Sequence, residues 1–233
     1  MAAWYFRLNG FLSIPWFVVH LDKSIAHIAQ DGTPRFARTE ADLIGVRFVN
    51  SRERIYARHD NRDMVDDLKL TRRASGACIQ ALFILVEVKA SLCKMNGPWT
   101  LRESKNMQRV IRRLGFARNE AEVEDIADAL YSTGRFEDEY YTLQYICVGA
   151  EMNQDLSRTY PEVVQIDWHE IGEFMMKRFG SFPEKLPSGH VHDQWPEFAR
   201  KYGEWFQLHR NRGFPDSITP QAIERYVRLG SLD

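Results

Sequence analysis

The chain has 233 residues, 44% of them hydrophobic and 27% charged, with a formal net charge of −1. That composition suits a globular protein able to bury a core, and the near-zero charge excludes a chain-wide field for polyanions, so any nucleic-acid surface must be local. Three cysteines, Cys78, Cys93 and Cys147, form neither a disulfide framework nor a zinc pattern, and no apolar run approaches the ~20 residues of a membrane helix.

The N-terminal stretch "AAWYFRLNGFLSIPWFVVH" is aromatic but broken by Asn9, Gly10 and Pro15, and it lacks the charged region and cleavage site of a signal peptide. A cytoplasmic protein in a reducing compartment is therefore expected. Residues 2 to 9 read as a short helix closed by Gly10. "FLSIPWFVV" reads as an extended segment that Pro15 pushes to a sheet edge. Residues 21 to 39 read as loop, and "ADLIGVRFV", 41 to 49, as a short, mostly apolar strand. Residues 50 to 78 are polar, rich in Arg and Asp, and read as a long surface insertion.

The apolar run "ALFILVEVKAS" starting at 81 is the next strand, followed by the Gly97-Pro98 loop. Trp99 after that loop is expected to fill the core, with Asn96 a candidate to face a site. Residues 101 to 114 read as a helix with Met107, Val110, Ile111 and Leu114 on one face. A second helix, 119 to 131, has Asn119 as its cap and Gly134 as its stop. "YYTLQYICVGA" reads as a central strand, "EVVQI" as another, and "DWHE" has capping-box spacing for a further helix. Helices near 195 to 209 and 220 to 229 complete the order. The organisation expected is an α/β core over 1 to 160, with the insertion 50 to 78, and a mainly helical C-terminal portion over 161 to 233 packed on it.

Glu87 and Lys89 follow six residues without a polar group, Ala81 to Val86. Side chains alternate along a strand, so these two charges share a face. One reading is a strand emerging into solvent. The other is a metal site, because an unpartnered buried charge is costly. A carboxylate on a rigid strand, met by a second from a neighbouring strand, holds Mg²⁺ or Mn²⁺ through oxygen, and a lysine beside it can hold an attacking water or stabilise phosphate charge. Asp42 opens the other short apolar strand and supplies the second acid. Asp66 and Asp67 in "MVDDLKL" are rivals, but no long apolar run follows them.

"ADLIGVRF" followed by "LFILVEVKAS" resembles the PD-(D/E)xK nuclease superfamily, particularly its Holliday-junction-resolvase-like branch, over roughly residues 36 to 150. The wider pattern, "WYFRLNGF" and then "EVKASLCKMNGPWT", is similar to bacterial nuclease-like proteins of mobile or antiphage-defence loci. The resemblance implies a restriction-endonuclease-like mixed sheet flanked by helices, dependence on Mg²⁺ or Mn²⁺, and DNA as substrate. It also implies Asp42 and Glu87 as metal ligands with the Val88 carbonyl, Lys89 as the catalytic lysine, and a homodimer or the subunits of a defence complex as partners. The spacing from Asp42 to Glu87 is long for the family, and the insertion takes up the excess. The first helix carries no acid, and Glu40 is the candidate to replace it. Glu103-Ser104-Lys105 matches the same E-x-K pattern but falls in the amphipathic helix, where a solvated face explains it.

Arg102, Lys105, Arg109 and Arg112 recur at helical spacing opposite the apolar face of 101 to 114. Such a stripe is either a phosphate contact surface or an ordinary solvated face. The insertion adds Arg52, Arg54, Arg58, Arg62, Arg72 and Arg73, diluted by Asp60, Asp63, Asp66 and Asp67. Trp195, Phe198, Tyr202, Trp205 and Phe206 read as core at helical spacing, and His190 and His192 as a solvated pair. Two functions follow: a metal-dependent DNA endonuclease, or a catalytically inactive nuclease-like module that binds DNA or a partner protein. No Gly-rich phosphate loop or nucleophile elbow supports a small-molecule enzyme.

Overall fold

A computed structural model describes residues 2–20, 38–51, 54–57, 60–63 and 80–181. The chain divides into two compact units, 1–167 and 168–233. The expected helices at 195 to 209 and 220 to 229, His190, His192 and the aromatic stripe from Trp195 lie outside the described residues, as do Arg52, Arg58, Asp66, Asp67, Arg72 and Arg73.

The first unit opens with helix α1, Ala2–Leu8, which buries Trp4, Tyr5 and Phe6. Gly10 at φ 82° ends it as the sequence suggested, and Arg47 ties that end to the sheet by donating from Nε to the Asn9 carbonyl at 3.0 Å. Strand β1, Leu12–His20, pairs antiparallel with β2, Arg38–Arg47. A short hairpin, β3 Arg54–Ala57 with β4 Asp60–Asp63, lies in the polar insertion and carries Arg54 and Arg62.

Strand β5, Ala81–Val88, pairs antiparallel with β2. On its other side it runs parallel to β7, Tyr141–Gly149. Between them in sequence come α2, Asn106–Leu114, α3, Glu120–Ser132, and the short β6, Arg135–Glu137. After β7 come α4, Gln154–Thr159, and β8, Val164–Asp167. Among the described residues the result is a six-stranded mixed sheet of order β1-β2-β5-β7-β6, with β8 also on β7. β6 pairs with 142–144 and β8 with 146–149, so the two share the outer edge of β7 in succession. The first unit therefore runs through Asp167, past the boundary expected at 160, because β8 belongs to the sheet.

Both central strands are buried on both faces, as in a covered sheet, with Glu87, Thr142 and Gln144 as their buried polar side chains. The cluster on the helix-bearing face contains Leu85 of β5, Leu143, Tyr145 and Cys147 of β7, Met107, Val110 and Ile111 of α2, and Val123, Ile126 and Leu130 of α3. Trp99 is fully buried in it, edge-on to Tyr145 with ring centroids 5.8 Å apart. Asn119 caps α3, its side chain accepting from the Glu122 N–H at 3.0 Å. Gly134, at φ 85°, sits where an added Cβ would lie 2.2 Å from Val163 Cγ2.

One expected helix is corrected. Residues 101 to 114 do not form a single helix: a 3₁₀ turn, Arg102–Ser104, is followed by Lys105 in the left-handed region at φ 52°, and α2 starts only at Asn106. The break lets the Met107 N–H donate to the Tyr131 hydroxyl at 3.0 Å, a tertiary bond that helical spacing alone does not reveal.

The second unit is described through α5, Trp168–Ser181, which begins within the "DWHE" motif. His169 and Glu173 pair across one turn at 3.2 Å. Among the described residues no helix is long and apolar enough to cross a membrane.

Candidate active site

The site is built at the C-terminal ends of two parallel strands, β5 and β7, where α/β sheets commonly place ligands. Glu87 pairs in register with Cys147, and Leu85 with Tyr145. Parallel partners share a face, so the Glu87 side chain projects to the helix-bearing side, beyond Leu85. The apolar run before it holds that position rigidly. Glu87 is 2% exposed, and the expectation of a strand emerging into solvent is thereby replaced by a buried carboxylate.

Strand β2 brings Asp42 beside it. The β2–β5 ladder extends to the pair Leu43–Val86. N–H groups alternate edges along a strand, so the next one facing β2 is that of Val88. It donates to Asp42 Oδ2 at 2.6 Å, a side chain taking the place of a backbone acceptor. The Lys89 N–H, facing the other way, donates to the Val148 carbonyl at 2.8 Å. The Val88 carbonyl shares the Asp42 edge with its own N–H, as the extended backbone dictates.

Lys89 Nζ donates to Glu87 Oε1 and forms an ion pair with it. The other oxygen, Glu87 Oε2, is buried with no hydrogen-bond partner. Burial is the main cause that pushes the Glu87 carboxyl up to about 7; the Lys89 hydrogen bond opposes it, and the negative charges of Asp42 and Glu40 add to it. A buried carboxylate oxygen without a donor, between other acids, is a place for a proton or a cation.

Glu40 is exposed, and its backbone carbonyl lies 3.5 Å from Asn96 Nδ2. Asn96 also donates its N–H to the Tyr145 hydroxyl at 3.3 Å, so the residue singled out from the Gly-Pro loop does reach this end of the sheet. Sequence reading missed Tyr145 itself. Its hydroxyl is fully buried, and burial first, with the nearby acids Glu87 and Asp42 adding to it, holds its pKa well above the usual range. A tyrosine two residues before Cys147 in a central strand was the available signal.

Beyond Lys89 the chain stays on β7 through a bulge. Val88 pairs with Val148, and the next bridge is Leu92 with Glu151, one residue more on the first side than on the second. Gly149 allows this approach: an added Cβ would lie 2.6 Å from the Ser91 carbonyl and 2.7 Å from the Cys93 nitrogen. Cys93 and Cys147 are buried free thiols, and burial pushes the Cys93 thiol up to about 11.

Among the described residues no group of three or more His, Cys, Asp or Glu side chains is placed to share a metal ion. What the site does offer is Glu87 Oε2, a buried carboxylate oxygen without a donor that a cation would satisfy.

The four cations expected on one helix face are not continuous. Arg102 donates to Asp128 Oδ1 at 2.7 Å and to Ser132 Oγ at 2.6 Å, and its guanidinium lies 5.4 Å from the Tyr131 ring centre. Arg112 binds both carboxylate oxygens of Glu120. Lys105 is exposed in the break, and Arg109 is half-buried in α2. Two of the four are thus neutralised by acids of α3. No family model, no curated protein and no solved structure matches the chain.

Proposed function

We propose that the mixed sheet is a restriction-endonuclease-like core and that the chain is a metal-dependent DNA endonuclease, acting through Asp42, Glu87 and Lys89. The observation that carries this reading is the buried Glu87 carboxylate, with one oxygen held by Lys89 and the other without a donor, beside Asp42. Asp42, Glu87 and the Val88 carbonyl would hold Mg²⁺ or Mn²⁺, with Glu40 as the auxiliary acid. When bound, the ion stabilises negative charge developing on the phosphate and lowers the pKa of a bound water. Lys89, which donates to Glu87 Oε1, would hold a water for in-line attack and offer positive charge to the phosphate. Lys105, exposed in the break before α2, and Arg109 would contact phosphates.

One observation favours the second reading, an inactive nuclease-like module that binds DNA or a partner protein. Asp42 Oδ2 is already committed to the Val88 N–H, which reduces the oxygen available to a metal.

The deciding experiment is cleavage of supercoiled, linear and single-stranded DNA with Mg²⁺ or Mn²⁺, with Glu87→Ala and Lys89→Ala beside the wild type. Metal-dependent cutting lost in both variants is the expected result. Cutting that survives in both would overturn the site, and salt-sensitive DNA binding without cutting would support the inactive module.

A further inference from the structure

The turn between α2 and α3, the first turns of α3 and the hairpin between β6 and β7 line an open hollow of about 560 Å³. Its apolar wall is aromatic. Phe116 and Tyr141 stack at 5.3 Å with 26° between their planes, and Phe136 lies 5.8 Å from Tyr141. Tyr140, 61% exposed, stands at the mouth. Phe83 packs edge-on against Phe116 at 4.7 Å. The wall is rigidly built: Asp138 Oδ1 accepts the N–H groups of both Tyr140 and Tyr141, at 2.7 and 2.9 Å, and the Tyr141 hydroxyl donates to the Phe116 carbonyl at 3.3 Å.

The polar lining carries three acids, Glu122, Asp125 and Asp138, against one cation, Arg118. Arg118 shows what the hollow accepts. Its guanidinium lies 5.9 Å from the Tyr140 ring centre, and its Nε donates to Glu122 at 2.8 Å. Yet its side chain is 74% exposed, so this cation sits at the rim and leaves the interior open. The field inside is negative: after burial, the charges of Asp138 and Glu122 push the Tyr141 phenol up to about 12.

Aromatic faces attract cations through their quadrupole, and surrounding carboxylates add charge. A phosphate-bearing ligand would meet the opposite sign. We propose that this hollow is a binding site for an organic cation, an alkylammonium or guanidinium group, seated against Tyr140, Tyr141 and Phe116 and facing Asp125. Arg118 is its internal competitor. The site is independent of Glu87 and of the nuclease reading.

The test is a backbone-amide NMR titration of the full chain with tetramethylammonium chloride, against sodium chloride at equal ionic strength. A saturable shift of the amides of 138 to 141 is expected, kept in Tyr140→Phe and weakened about fivefold or more in Tyr140→Ala and Asp125→Asn. Arg118→Ala should tighten binding about threefold, because it frees Tyr140 and Glu122. A peptide bearing trimethyl-lysine, compared with its alanine counterpart, separates the sources. Binding at least tenfold tighter than tetramethylammonium supports a protein side chain, and equal binding supports a free small cation. Shifts no larger than those of sodium chloride, weaker binding in Arg118→Ala, or saturation by uridine monophosphate in place of tetramethylammonium would each overturn the proposal.

Discussion

Glutamine at position 87 keeps the shape of the side chain and removes its charge. Burial raises the Glu87 carboxyl from the ordinary 4.5 to about 7 in the folded chain. At about 1.4 kcal/mol for each tenfold in the protonation equilibrium, that gap amounts to roughly 3 kcal/mol. The sign follows from which state holds the proton. Between pH 4.5 and 7 the unfolded chain has lost it and the folded chain has kept it. The neutral group's contribution is therefore complete below pH 4.5 and is lost as pH rises through 7. Urea unfolding without divalent ions, at pH 5 and pH 8, reads this directly. Wild type is expected to lose most of that roughly 3 kcal/mol across the interval through this group, a shift of about 6–12 °C in Tm for a chain of this size. Glu87→Gln should lose none of it and should overtake wild type at pH 8 by about 1–3 kcal/mol, since the buried charge is gone while Lys89, 37% exposed, is left to water. Adding Mg²⁺ at pH 8 should cancel or reverse most of that lead, because an ion that binds only the folded wild type stabilises it by about 2.7 kcal/mol at a hundred times Kd. Parallel pH profiles for the two proteins would refute the buried, proton-holding carboxylate, and with it the physical basis of the site.

Two further substitutions test the frame that carries the site. Gly134→Ala places a Cβ into Val163 at a backbone angle that L-residues disfavour, and should cost about 2–4 kcal/mol in chemical denaturation; a change below 1 kcal/mol would mean that the turn into β6 is not packed as described. Gln144→Leu removes an amide that donates to the carbonyls of Gly134, Tyr145 and Glu162, at 3.2, 2.9 and 2.7 Å, where β6 gives way to β8 along β7. It should cost about 1–3 kcal/mol and speed hydrogen exchange in β8 ahead of β5.

Local signals in the sequence were strong wherever one short segment decides its own conformation. Gly10 ends α1, Asn119 caps α3, Pro15 lies in an edge strand of the described sheet, and the apolar run ending at Glu87 is a central strand. Each depends on backbone geometry or alternation within a few residues, which is information a sequence carries directly. The same alternation put Glu87 and Lys89 on one face and raised the need for a second acid. It could not place that acid. Asp42 reaches Val88 only through the β2–β5 register, and a one-residue slip would have turned it to the opposite face.

The break at Lys105 was equally hidden, because helical spacing runs unbroken from Arg102 to Arg112 while α2 begins only at Asn106, where the Met107 N–H of its first turn finds the Tyr131 hydroxyl. Residue types by themselves therefore determined that two charges end a buried strand. Tertiary structure alone decided that one of them is almost completely buried with an oxygen left unpartnered, since burial and hydrogen-bond satisfaction are properties of what the other strands and helices pack around it.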